Sequence, residues 1–164
     1  TFTTPIQSDP LRIMGRPEAL LHVSADVVDA DFAVRISHVT PEGKSLLLVD
    51  GIQRASLRES YSQKKLLQPL ETVLVQVSLP SVAATIPAGH RLRVSVASSN
   101  YNRFAINPQD GCSFTDDVGA SLKKGSIRLH TSAPFPSQIR VPLAVQARTT
   151  NWPLYGNRTV GEPW

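Results

Sequence analysis

Four histidines, one cysteine, a run of aspartates and a Gly-x-Ser triplet are the residues of this sequence that could do chemistry. His22, His38, His90 and His130 are spread along the chain. None forms an H-x-x-x-H or H-x-H pair, the spacings that place two imidazoles side by side for a metal with ordered second partners. Three of them fall in or beside alternating segments at solvent-facing positions, so ordinary polar-face roles are expected. Gly119-Ala120-Ser121-Leu122-Lys123 begins like the G-x-S-x-G nucleophile elbow but ends in Lys123. It also lies in a loop, without the strand-to-helix turn that exposes such a serine. Cys112 is the only cysteine, so no intrachain disulfide can form. No histidine lies between His90 and His130 to serve it as a base, and an ordinary thiol is expected.

Asp26, Asp29 and Asp31 crowd one connection between two apolar patterns. Closely spaced carboxylates can hold Ca²⁺ together with backbone carbonyls. Aspartates more often cap turns by accepting backbone N–H bonds, and capping is the expectation here. Nothing places two carboxylates across a cleft as glycoside hydrolysis requires. Asn157-Arg158-Thr159 is a glycosylation sequon, meaningful only in a host that secretes and glycosylates. The residues thus yield no catalytic set, no metal site and no cofactor site.

The elements that would position any site read as strands. Leu21, Val23 and Ala25 alternate with His22 and Ser24; Phe32, Val34 and Ile36 alternate with Ala33, Arg35 and Ser37. The same period of two recurs over 72–79, 91–96, 126–130 and 138–145. Leu46 to Val49 is a short continuous apolar run, and Ile52 to Leu57 reads as a further strand, with Asp50-Gly51 a bend or bulge between them. Pro41-Glu42-Gly43-Lys44 reads as a tight hairpin connection, and Pro87-Ala88-Gly89 as a turn. Asn107-Pro108-Gln109-Asp110-Gly111 opens a loop lasting to about Lys124, and Ser81 to Thr85 could form one helical turn. About eight short strands separated by turns predict an all-β protein, a two-layer sandwich or jelly roll. The strand domain is expected over 1–148, followed by a tail over 149–164 with Trp152, Tyr155 and Trp164.

The chain has 164 residues, 41% hydrophobic and 18% charged, which suits one folded domain with a sizeable core. Thirteen prolines argue against long helices. A net charge of +4 is modest, and the cations, among them Arg35, Arg54, Lys64, Arg93, Lys124 and Arg140, are scattered. No basic stripe interleaved with aromatics appears, so no nucleic-acid partner is expected. There is no run of 18 apolar residues and hence no expected membrane span. No signal pattern marks the start at Thr1, and the compartment is left open between cytoplasm and secretion.

Several motifs occur in a familiar order. Asp29-Ala30-Asp31-Phe32 is followed by Pro41-Glu42-Gly43, then by Asp50-Gly51-Ile52-Gln53-Arg54. Gly89-His90-Arg91-Leu92, Ser98-Ser99-Asn100-Tyr101-Asn102-Arg103-Phe104 and Ser137 to Leu143 come next. Together they resemble the C-terminal domain of the X-prolyl dipeptidyl peptidase and cocaine-esterase-like family of serine α/β-hydrolases, with Asn102 where the family usually has proline. The resemblance implies a galactose-binding-like jelly-roll sandwich and a parent enzyme cleaving dipeptides after proline, or small acyl esters and amides. It implies that the Ser, Asp and His of the triad lie in a preceding α/β-hydrolase domain; no residue here matches them. The partner implied is that catalytic domain of the same polypeptide, with homo-oligomerisation in some members.

Within the domain, Gly43 and Gly51 are expected to supply φ values other residues avoid. Phe32, Leu92 and Phe104 are expected to fill the core or its rim. Asp31 and Asp50 are expected to accept backbone hydrogen bonds, with Arg54 pairing one of them. The function this supports is a non-catalytic domain that packs on the catalytic one and shapes its cleft, leaving an apolar patch on the isolated chain. The alternative is a carbohydrate-binding module, for which Trp152, Tyr155 and Tyr101 are the candidate stacking platform.

Overall fold

Short alternating segments can each bury one face, and in the computed structural model, which describes residues 1–112 and 122–144, strands such as Leu11–Gly15 and Val73–Ser78 do so, whereas Asp31–Val39 is buried on both faces over most of its length. The strands are β1 (Phe2–Thr3), β2 (Leu11–Gly15), β3 (Glu18–Ala25), β4 (Asp31–Val39) and β5 (Ser45–Arg54). After a single 3₁₀ turn, Ala55–Leu57, come β6 (Val73–Ser78), β7 (Val82–Ile86), β8 (Arg91–Ala97), β9 (Ile127–His130) and β10 (Gln138–Arg140). The pairings are antiparallel. One sheet has the order β1-β8-β4-β5 and the other β10-β3-β6. β6 covers one edge of β3; β9 and β10 share the opposite edge end to end, at His22–Ala25 and Glu18–Leu20. β2 and β7 form a separate ribbon.

The sheets face one another as a β-sandwich. Leu21 and Val23 of β3 and Val75 and Val77 of β6 meet Phe32, Val34 and Ile36 of β4 and Leu92 of β8 in one buried cluster. Ile13 and Ile86 bring the ribbon into the same cluster. Each such side chain contributes about 1.5–3 kcal/mol of burial, which is why register is fixed: a slip of one residue would turn a whole strand inside out.

The Thr40–Lys44 hairpin forms as expected, with Gly43 at φ +87° and its N–H donating to the Thr40 carbonyl at 2.9 Å. Other expectations need correction. Asp50-Gly51 is no bend; β5 runs through it unbroken. The irregularity lies just before, where Ile36 faces Val49 and Ser37 faces Leu47, leaving Leu48 as the extra residue. Gly51 is not in the left-handed region either. A Cβ there would sit 3.0 Å from the Ser78 carbonyl oxygen, so close approach of β6 requires the glycine. Ala55–Leu57 is a 3₁₀ turn rather than strand. Ser81 to Thr85 is not helical; Val82–Ile86 is a strand because it pairs along the whole of β2. The last strand ends at Arg140, and Leu143 makes only an isolated bridge to Ile13.

Candidate functional site

Asp29 and Asp31 flank the entry to β4, and Arg54 ends β5 directly opposite Asp31. Pairing the strands therefore forces a carboxylate and a guanidinium together inside the protein. Arg54 Nε donates to Asp31 Oδ1 at 2.8 Å and Nη2 donates to Oδ2 at 3.1 Å, a two-point contact. Asn107 Nδ2 adds a bond to Asp31 Oδ1 at 2.8 Å. Asp29, fully buried, accepts the backbone N–H groups of Ala30 and Ser56 and the Ser56 hydroxyl, each at 2.9 Å. It caps the turn after β5, as the sequence led us to expect. Asp26 turns elsewhere, accepting the Ser126 N–H at 2.7 Å. The three aspartates thus take separate partners, and among the described residues no group of three or more ligands is placed to hold a metal ion.

Arg54 pairs with Asp31 as expected, but for both Asp31 and Asp50 the partners found among the described residues are side chains rather than turn amides. Asp50 Oδ2 accepts Asn100 Nδ2 at 2.9 Å, and Oδ1 pairs with the Arg103 guanidinium. Arg35, directly opposite Asp50 on β4, donates to Asn100 Oδ1. This four-residue network pins the segment Ser98–Asn107 to the outer face of the first sheet. It leaves Tyr101 73% exposed at the surface. Phe32 and Leu92 are core, whereas Phe104 is half-buried beneath the Arg103 guanidinium, 5.5 Å from its ring centre.

The fold gathers the histidines in two pairs that their sequence spacing hides. His38 of β4 meets His90, just ahead of β8, through Nε2 and Nδ1. His22 and His130 lie opposite one another on β3 and β9. His130 Nε2 shares a hydrogen bond of 3.0 Å with the Ser24 hydroxyl, and His22 Nδ1 lies 3.1 Å from the Pro136 carbonyl. Phe135 packs against both rings, at 5.8 and 6.1 Å. No serine or cysteine nucleophile is seated between such a histidine and a carboxylate among the described residues. Cys112 is exposed; its N–H donates to Asp110 Oδ1 at 2.9 Å, and its hydrogen bonds hold the Asp110 carboxyl below the usual carboxylate range. Ser121, the sequon at Asn157, and Trp152, Tyr155 and Trp164 lie outside the described residues.

Two exposed carboxyls titrate low. Lys65, 2.8 Å from Glu59, holds that carboxyl down, and the Thr40 hydroxyl does the same for Glu42 with help from the Glu42 backbone N–H and the His90 charge. Both are surface pairs of the hairpin and loop, not a reactive centre.

The other marked feature is apolar. Between the two sheets a groove of about 350 Å³ opens, lined by Phe2, Leu21, Leu92, Val94, Leu129 and Ile139 among others. An apolar patch on the isolated chain is the expectation from sequence, and Leu21, Leu92, Val94, Leu129 and Ile139 fall in segments that read as strands; Phe2 falls in none, because the two-residue β1 is too short to show a period. The arrangement can hold segments of chain and bury apolar surface.

Comparison with known proteins agrees with this geometry. A family model described as the X-Pro dipeptidyl-peptidase C-terminal non-catalytic domain matches residues 1–140. Cocaine esterase of Rhodococcus sp. (strain MB1 Bresler) is 29% identical over 142 residues, covering 87% of this chain and 25% of the esterase. An aminopeptidase from a marine sediment archaeon, Thaumarchaeota archaeon, superposes with a TM-score of 0.79 at 29% identity over 88% of this chain and 25% of its own. An α-amino acid ester hydrolase gives 0.79 and 29% over 87% of this chain and 25% of its own. This chain spans about a quarter of the length of each of these proteins. It belongs to the family of X-Pro dipeptidyl-peptidase C-terminal non-catalytic domains.

Proposed function

We propose that this domain serves a serine hydrolase of the X-Pro dipeptidyl peptidase or acyl esterase and amidase type, packing on its α/β-hydrolase domain and helping to wall the substrate cleft. The observation that carries the reading is the family match over residues 1–140. Relatives about four times longer, with hydrolase names, support it. The physical features suit the task. Buried ion pairs hold the ends of β4 and β5, and a pinned loop presents an aromatic tip at Tyr101. Tyrosine is well suited to an interface because it buries a large ring while keeping a polar tip.

The reading includes the catalytic domain of the same polypeptide as the partner, with a second copy of the whole hydrolase as a further one, and neither nucleic acid nor membrane. The described helical residues include no segment long and apolar enough to cross a bilayer. The galactose-binding-like form of the sandwich, and its division into a domain over 1–148 and a tail over 149–164, belong to the same proposal. The carbohydrate-binding alternative finds no support in the comparisons.

The test is to express the full gene product and the 164-residue chain separately and assay X-Pro anilides and simple acyl esters. The expected result is hydrolysis by the full product, abolished by a serine-directed sulfonyl fluoride, and none by the chain. Hydrolysis by the chain itself would overturn the proposal.

A further inference from the structure

Among the described residues, one long side of the sandwich is open. Its border is β8 on one sheet and β9 with β10 on the other. β4 lines the inner edge of β8 along Arg91–Ala97. On the outer edge β1 pairs with it only as far as Phe2 opposite Val94. Thr4 N–H donates to the Leu92 carbonyl at 2.9 Å, and Leu92 N–H donates to the Thr4 hydroxyl at 3.1 Å. The main-chain groups of Leu92 therefore face this edge, and by strand alternation so do those of Val94 and Val96. Among the described residues no strand pairs with Val96 there. Behind the edge lies the apolar groove, and Val96 and Leu129 carry it on into a second depression of about 480 Å³. An apolar strand edge with unpaired main-chain groups is a template for another strand.

We propose that the groove is closed by the stretch of the same polypeptide that precedes Thr1, added to β8 as a backward extension of β1. This rests on the accessory-domain reading, in which hydrolase sequence comes before this chain. The relatives have three quarters of their length outside the shared part. Phe2, Thr3 and Thr4 line the groove, so any preceding residues start at its mouth and need no connecting loop.

The register fixes what those residues must be. Thr3 lies opposite Arg93 and Phe2 opposite Val94, in antiparallel sense. Stepping back, Thr1 falls opposite Ser95 and the residue before it falls opposite Val96. Directly opposite residues share a face, and Phe2 and Val94 share the groove. The residue immediately before Thr1 therefore points into the groove over Val96 and must be apolar. Its N–H donates to the Val96 carbonyl, and its carbonyl accepts the Val96 N–H. The residue before that one falls on the opposite face, the side on which the Thr3 hydroxyl accepts from Arg93 Nε, and is free to be polar.

The experiment is amide hydrogen exchange on the full-length gene product, with the Val34 amide of the central strand β4 as internal reference. The expected result is a Val96 amide exchanging within tenfold of Val34. Replacing the apolar residue before Thr1 with Asp should then speed Val96 at least tenfold and leave Val34 unmoved. A Val96 amide that exchanges freely in an active full-length hydrolase overturns the inference while keeping the accessory-domain reading. Slow exchange that the Asp substitution does not change also overturns it, since something other than the stretch before Thr1 then protects the Val96 edge. A gene with no coding sequence before Thr1 overturns both readings.

Discussion

Replacing Asp31 with alanine removes the two-point partner of a guanidinium whose side chain is 6% exposed. Breaking a buried ion pair by deleting one member costs about 3–5 kcal/mol, because the other charge stays behind in a poor solvent. Two features of this site shift the value within that range. Asp29 Oδ2 lies 3.8 Å from Arg54 Nε and retains part of the attraction, which lowers the cost. Asn107 Nδ2 loses its acceptor at 2.8 Å, which adds about 1 kcal/mol. The expected loss is about 4 kcal/mol out of a total of about 5–15 kcal/mol for a domain. With a urea slope of about 2 kcal/mol per molar, the midpoint should fall by about 2 M. Arg140→Ala is the control. It breaks the Glu18–Arg140 pair of 2.9 Å, whose arginine side chain is 62% exposed, and should cost at most about 1 kcal/mol. The double variant Asp31→Ala/Arg54→Met should cost less than the sum of its parts, because no buried charge is left facing the lost carboxylate. Equal midpoint shifts for Asp31→Ala and Arg140→Ala would refute the reasoning.

Gly51→Val should destabilise by about 1–3 kcal/mol in the same urea assay, since its Cβ would press within 3.0 Å of the Ser78 carbonyl. Asp50→Ala should cost about 1–3 kcal/mol by leaving the buried Asn100 amide without its acceptor; faster proteolysis within Ser98–Asn107 is the accompanying readout. Glu59 titrates low because Lys65 favours its ionised form, so any stabilisation is present at neutral pH and is lost as pH falls through the depressed folded value. Lys65→Ala should move the Glu59 midpoint upward in a carboxyl NMR titration, and an unchanged midpoint would contradict that cause.

Where neighbours in sequence decide the outcome, the sequence was readable. Alternation at Leu21, Val23, Phe32, Val34 and Ile36 marked the two inner faces, and Gly43 marked a hairpin, because strand period and left-handed φ are local properties. Asp29 as a cap was readable for the same reason. Asp50-Gly51 was misread as a bend because the glycine answers to Ser78 on another strand. Ser81 to Thr85 was misread because its small side chains show little contrast; only pairing with β2 makes it a strand. The side-chain partners of Asp50 and the meeting of His38 with His90 depend on strand order, which no local pattern carries. The motif Ser98–Phe104 did draw attention to Asn100 and Arg103, though not to what they hold.

The central claim is that this chain works as the accessory domain of a serine hydrolase, and the sequence of the gene upstream of the codon for Thr1 tests it most directly. The account predicts a strand, a G-x-S-x-G turn and a helix within a few hundred codons, followed by the Asp and His of a triad. A start codon immediately before Thr1, with no hydrolase domain, would contradict it.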